Sequence, residues 1–198
     1  MKIENRQMYF DAEFKTRSEG EEKYLEGYFI KYGVETELSR GFYEEIQRGA
    51  VDGSLSSDIR CLFNHDSAVV LGRTSNNTLE LRSDDVGLYG RVKINPNDKQ
   101  ANDIYARIER GDINACSFGF IPKDEDIEHR DDGTVKFIVR DAELIEVSPV
   151  TFPAYPQTVV NARKKDAEQD KQRIFNAKKE QLRRKLNVIK TIDDSKED

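Results

Sequence analysis

Residues 134–152 read TVKFIVRDAELIEVSPVTF, a long run rich in β-branched and aromatic side chains. Such residues fit a pleated, half-buried surface. The run is one bent strand or two, and it commits the chain to building a sheet around it. Pro153 and Pro156 then end regular pairing, because proline has no N–H to give a ladder. The rest of the chain supplies neighbours. Residues 10–32 read as strands, with a glycine in YLEGYFIKYG marking a bulge. Residues 59–65, IRCLFNH, alternate, so that Ile59, Cys61, Phe63 and His65 share a face. VVLGRTSNNTLELRSDDVGLYGRVKI adds two or three short strands separated by Asn-Asn and Asp-Asp-Val-Gly turns, and residues 113–122 add another strand. DEDIEHRDDG reads as a polar hairpin tip. Two segments read as helices: residues 39–49, closed by Gly49, and residues 95–111, which carry Ile104, Tyr105 and Ile108 at helical spacing before Gly111. The expected class is α+β, predominantly β.

Composition divides the chain. The net charge is −6, but residues 161–198 hold 12 Lys/Arg against 8 Asp/Glu, leaving 20 against 30 in residues 1–160. We therefore expect a domain over 1–160 and a charged, partly helical or disordered tail over 161–198. In that tail Phe175, Leu182, Leu186 and Ile189 form a narrow apolar stripe, and TIDDSKED at the end reads as disordered. The tail lacks the aromatic interleaving and motifs of a nucleic-acid binder, so a solvated helical face or a protein-docking role fits it better. No apolar run is long enough for a membrane span, and the N-terminus lacks the apolar core of a secretory signal. Cys61 and Cys116 make no disulfide framework, which suits a reducing cytoplasm. Two cysteines and two histidines without ligand spacing also argue against a structural zinc site.

Three segments carry chemistry: LFNHD with His65, NACSFGF with Ser117, and LIEVSPVTFPA with Glu146. A serine hydroxyl becomes a useful nucleophile when an imidazole takes its proton and a carboxylate orients that imidazole. His65 ends an apolar strand. The other histidine, His129, sits in an acidic, turn-like stretch and reads as a solvated loop residue. Ser117 shares its face with small Ala115 and Gly119, open to a substrate backbone. The pattern A-C-S-F-G is not the G-x-S-x-G elbow of the α/β-hydrolases. Cys116, the rival nucleophile, projects to the opposite face with Phe118 and Phe120 and reads as a buried, inert thiol, as does Cys61. Alternation groups Leu144, Glu146 and Ser148 on one face and Glu143, Ile145 and Val147 on the other. Glu143 and Asp66 remain alternatives to Glu146. The plain alternatives also stand: a hydrogen-bonded structural histidine, and a serine filling a small space in a strand. Oxyanion donors are not assigned by the sequence; Arg73, Arg82 and Arg140 are available basic residues.

Taken in order, GFYEEIQRGA, CLFNHDSAVVLGRT, DVGLYGRVKI, ARIERGDINACSFGF and LIEVSPVTFPAYPQT resemble the prohead serine proteases of tailed bacteriophages, capsid maturation enzymes related in fold to the herpesvirus assemblins. The resemblance spans about residues 8–160. By position it implies His65 as general base, Ser117 as nucleophile and Glu146 as the orienting member. It implies a closed or partly open β-barrel core flanked by helices, no metal and no cofactor. It also implies a substrate, the scaffolding segment of the phage major capsid protein, cut inside the procapsid in the host cytoplasm together with self-digestion. Neither nucleic acid nor membrane is required, and a homodimer is left open. Pro149 stands where the family commonly has a small aliphatic residue, a departure that bears on strand pairing more than on chemistry.

Two rival readings accompany this one. A non-catalytic capsid assembly or scaffolding protein would leave Ser117 unreactive to a fluorophosphonate. A cysteine hydrolase would depend on Cys116. The tail is expected to dock the enzyme to capsid or scaffold during co-assembly and to be lost by autolysis. A chain truncated at Asn161 should then fail to enter procapsids, and unchanged packaging would remove that role.

Overall fold

A computed structural model describes residues 6–12, 14–152 and 157–194. Among the described residues are eleven strands and two α-helices, and the chain divides into two compact units, 1–160 and 161–198. The strands are β1 (Arg6–Asp11), β2 (Lys15–Glu19), β3 (Glu22–Lys31), β4 (Thr36–Ser39), β5 (Phe42–Ile46), β6 (Arg60–Phe63), β7 (Asp66–Arg73), β8 (Leu79–Ser83), β9 (Gly87–Ile94), β10 (Ala115–His129) and β11 (Val135–Val150). The helices are α1 (Lys99–Arg110) and α2 (Gln157–Asp194).

The larger sheet runs β1-β10-β11-β5-β4, with β6 and β7 added beside β11; the smaller runs β2-β3-β9-β8. The strands make two sheets, so of the closed or partly open barrel expected, the closed form is not found among the described residues. β11 is the axis of the larger sheet. Along one edge it pairs with β10 for its whole length. Along the other it runs parallel to β5 in its first part and to β6 at Glu146 and Val147. A single strand of sixteen residues thus takes the place of the one-or-two alternative.

A core of buried side chains joins the two sheets. It includes Leu25, Phe29 and Ile30 of β3, Leu88 and Val92 of β9, and Phe118 and Phe120 of β10. Each large side chain buried there contributes about 1.5–3 kcal/mol relative to exposure. Helix α1 adds Ala101, Ile104, Tyr105 and Ile108. Asp98 caps its N-terminus by accepting from the Ala101 N–H, and Gly111 ends it in the left-handed region at φ 88°.

Three further expectations change. Residues 39–49 form no helix: Gly41 (φ 81°) turns β4 into β5, and Phe42 and Tyr43 extend beside β11. Periodicity over so short a segment yields to the open edge of β11, which offers it a complete ladder. The hairpin tip also lies further along. Residues 124–129 remain in β10, and the turn is confined to residues 130–134. Helix α2 runs through to Asp194, so the expected disorder of TIDDSKED does not hold for its first half; the rest, together with Pro153 and Pro156, lies outside the described residues. Ile174, Phe175 and Leu182 are exposed on α2.

Candidate active site

His65 is not the last residue of a strand. Phe63 and Asp66 are paired, and the two residues between them, Asn64 and His65, have φ of 52° and 60°. That is the backbone of a two-residue turn with both residues left-handed, in which Asn-Gly is the favoured pair. A histidine in glycine's place costs about 1 kcal/mol or more of backbone strain. The turn is held from outside. The Asn64 N–H donates to the Pro149 carbonyl (3.0 Å), the Thr151 N–H donates to Asn64 Oδ1 (2.8 Å), and Asn64 Nδ2 donates to Thr151 Oγ1 (3.2 Å). The turn is therefore tied to the end of β11, the strand that carries Glu146.

Glu146 lies within that strand, nearly buried, with Oε1 2.7 Å from His65 Nδ1. Its other oxygen, Oε2, accepts from the Ser148 hydroxyl at 2.5 Å. A β-bulge just before Glu146 explains its aim. Gly119 opposes Glu146 while Phe120 opposes Leu144, so Ile145 is the extra residue. The bulge breaks the simple alternation read from the sequence. Leu144 joins the core, and Glu146 and Ser148 remain together on the other face. Glu143, the alternative carboxylate, is ion-paired with Lys123 at 3.7 Å. Asp66 accepts from the Ala68 N–H. Of the three carboxylates weighed, Glu146 is the one against His65.

Ser117 stands opposite Ser148 in the β10–β11 ladder, two residues along from Gly119. Cross-strand partners have Cβ atoms about 5 Å apart, so the hydroxyl of Ser117 starts one side chain away from the Ser148–Glu146 pair. In this structure Ser117 is only 4% exposed, and its hydroxyl donates to the Met8 carbonyl of β1 at 2.9 Å. Strand β1 occupies the free edge of β10, with Tyr9 in register with Ser117. His129 lies at the far end of β10, roughly 35–40 Å along the strand from Ser117 at ~3.3 Å per residue.

The opposite face of β10 is different. Cys116 is fully buried, with Sγ 3.6 Å from the Phe29 carbonyl oxygen, and burial pushes its thiol well up. Cys61 is buried likewise, and the Glu146 carboxylate adds to the same upward push. A cleft of about 510 Å³ lies among Arg60, Val70, Gly72, Arg73, Thr78 and Asn95, and none of His65, Ser117 or Glu146 lines it. The three basic residues noted in the sequence are engaged elsewhere: Arg73 with Asp58, Arg82 over the Tyr89 ring, and Arg140 with Asp124 and Asp126.

The family model described as Caudovirus prohead serine protease matches residues 11–173. The chain belongs to that family. Among solved structures it is similar to the bacteriophage T4 capsid assembly protease, gp21, with 14% identity and a TM-score of 0.49, covering 76% of this chain and 99% of that one. No curated protein matches. The prohead serine protease match includes all three segments that hold His65, Ser117 and Glu146, and it extends into α2. The Asn64–His65 turn and the role of Ser148 went unread in the sequence. Asn-His lacks the glycine that announces such a turn, although Asn64 itself, a residue that tolerates the left-handed region, was the available signal.

Proposed function

We propose that this prohead serine protease is an endopeptidase that cuts the scaffolding segment of the phage major capsid protein, and itself, inside the procapsid. The observation that supports this most is the His65–Glu146 contact on the same ladder face as Ser117. With Nδ1–H held by the carboxylate, His65 presents Nε2 as the proton acceptor. In the first step Ser117 Oγ attacks the scissile carbonyl carbon while Nε2 takes the hydroxyl proton. The tetrahedral intermediate collapses, the C–N bond breaks, and the imidazolium gives its proton to the leaving amine. Water, activated by the same Nε2, then hydrolyses the ester and returns the proton to Ser117. Glu146 accepts from Nδ1–H and supports the imidazolium in both halves.

An extended peptide is commonly bound by adding a strand to a sheet edge. The edge nearest Ser117 is the one that β1 holds, and the Ser117 proton is shared with Met8 rather than with His65. Attack on a substrate therefore requires β1 to leave this edge and the hydroxyl to turn. Self-processing is one route to that opening.

The test is mass spectrometry of the major capsid protein after co-expression with the wild-type chain or with Ser117→Ala. Cleavage by the wild type and none by the variant is expected. Full cleavage with Ser117→Ala would reject the reading.

A further inference from the structure

Glu146 has a two-sided seat that the family's chemistry does not by itself call for. On one side is the Ser148 hydroxyl, wholly buried and donating to Oε2. On the other is Gly119, directly opposite Glu146 in the ladder. A Cβ at residue 119 would stand 2.6 Å from Oε1 and 3.3 Å from Cγ, closer than the carboxylate can accept without moving. Oε1 is the oxygen that meets His65. One neighbour thus fixes the carboxylate by a bond, and the other by leaving room.

We propose that Ser148 and Gly119 are positioning residues, which together aim Glu146 Oε1 at His65 Nδ1 and so lock the imidazole as the Nδ1–H tautomer. A carboxylate in a strand has several rotamers, and burial alone selects none of them. The Ser148 bond removes the freedom of Oε2, and the notch at Gly119 keeps Oε1 on the His65 side. Ser148 is not a second nucleophile: it has no exposed surface, and its proton is committed to Glu146. Gly119 follows the same logic from the other strand. The seat is assembled across the β10–β11 ladder, and the bulge at Ile145 sets its register. This inference rests on the protease reading above.

The experiment uses the full chain carrying, one at a time, Ser148→Ala, Ser148→Thr, Gly119→Ala or Ser117→Ala. The first readout is imidazole nitrogen-15 chemical shifts of the two histidines, with His129→Gln to assign them. The second is cleavage of co-expressed capsid protein. Ser148→Ala and Gly119→Ala should each convert His65 from one tautomer to a mixture and slow cleavage roughly 10- to 100-fold, the range for partners that orient a working group. Ser148→Thr, which keeps the hydroxyl, should restore both. A folded Ser148→Ala or Gly119→Ala chain with unchanged His65 shifts and wild-type cleavage overturns the proposal. The nitrogen shifts are read without turnover, so they remain informative if one variant folds too poorly to assemble. Cleavage persisting in Ser117→Ala would instead overturn the protease reading.

Discussion

Ser117 and Cys116 are neighbours in β10, both closed to solvent, and they face opposite ways. Cys116 points with Phe118 and Phe120 into the core that joins the two sheets, where burial keeps its thiol neutral. Ser117 lies on the other face, opposite Ser148 in the ladder and on the side of Glu146 and His65, with its hydroxyl turned to the Met8 carbonyl. Thiolate is intrinsically the better nucleophile, yet here the thiol is sealed in the core, while the serine shares a ladder face with the carboxylate that meets His65. Strand alternation, not residue chemistry, decides which of the two lies on the His65–Glu146 side. A shift of one residue in the β10 register would exchange their fates.

The sharpest way to break that contrast is to exchange the two deletions. Ser117→Ala should remove all cleavage of the capsid protein and all fluorophosphonate labelling. Cys116→Ala should keep cleavage within a fewfold while costing roughly 1–2 kcal/mol of stability, through the space left among the phenylalanines. Loss of activity in a folded Cys116→Ala chain, with activity kept in Ser117→Ala, would reverse the roles of the two faces.

The contrast was largely readable from alternation alone, because β10 is regular from Ala115 to Gly119. Phe118 and Phe120 mark one face, and Ala115 and Gly119 mark the other. The same rule failed on the neighbouring strand β11, just past the partner of Gly119. There a bulge at Ile145 moves Leu144 to the core and leaves Glu146 beside Ser148. A bulge is a property of a strand pair, so a single strand's sequence does not announce it. Residues 39–49 failed for a related reason: their partner β11 is more than ninety positions away in the chain, and it outweighed a weak local helical preference. The barrel expectation came from the resemblance and not from any pattern in the residues. Helix α1 was legible to within a few residues because its cap, stripe and terminal glycine are all local signals.

The turn that carries His65 offers a smaller effect and a finer test. Asn64 does two things there: it tolerates a positive φ, and it ties the turn to Pro149 and Thr151. Asn64→Ala loses that tolerance and the side-chain ties to Thr151, keeping only the backbone bond to Pro149, and should cost about 1–2 kcal/mol of stability. Asn64→Gly keeps the backbone preference and loses the side-chain ties to Thr151. If those ties hold His65 against Glu146, the glycine chain should be nearly as stable as wild type and still cleave several-fold more slowly. Wild-type cleavage by both variants would mean that the turn needs no anchor.

The smallest effect concerns the silent face. Folding holds the Cys116 and Cys61 thiols above their ordinary values because burial disfavours the thiolate. A thiol raised in the folded state contributes fully below the unfolded-state value of about 8.5, and that contribution fades as pH rises beyond it. Stability to denaturant should therefore fall from about pH 8 to about pH 9.5. Raised tyrosines such as Tyr28 and Tyr89 push in the same direction, so wild type alone does not isolate the thiols. The difference between wild type and Cys116→Ala does: the variant should lose less stability over that interval. Iodoacetamide at about pH 8 should leave both thiols unmodified until the chain unfolds. Rapid native alkylation of Cys116 would show that its face is open, and the division of labour between the two sides of β10 would have to be redrawn.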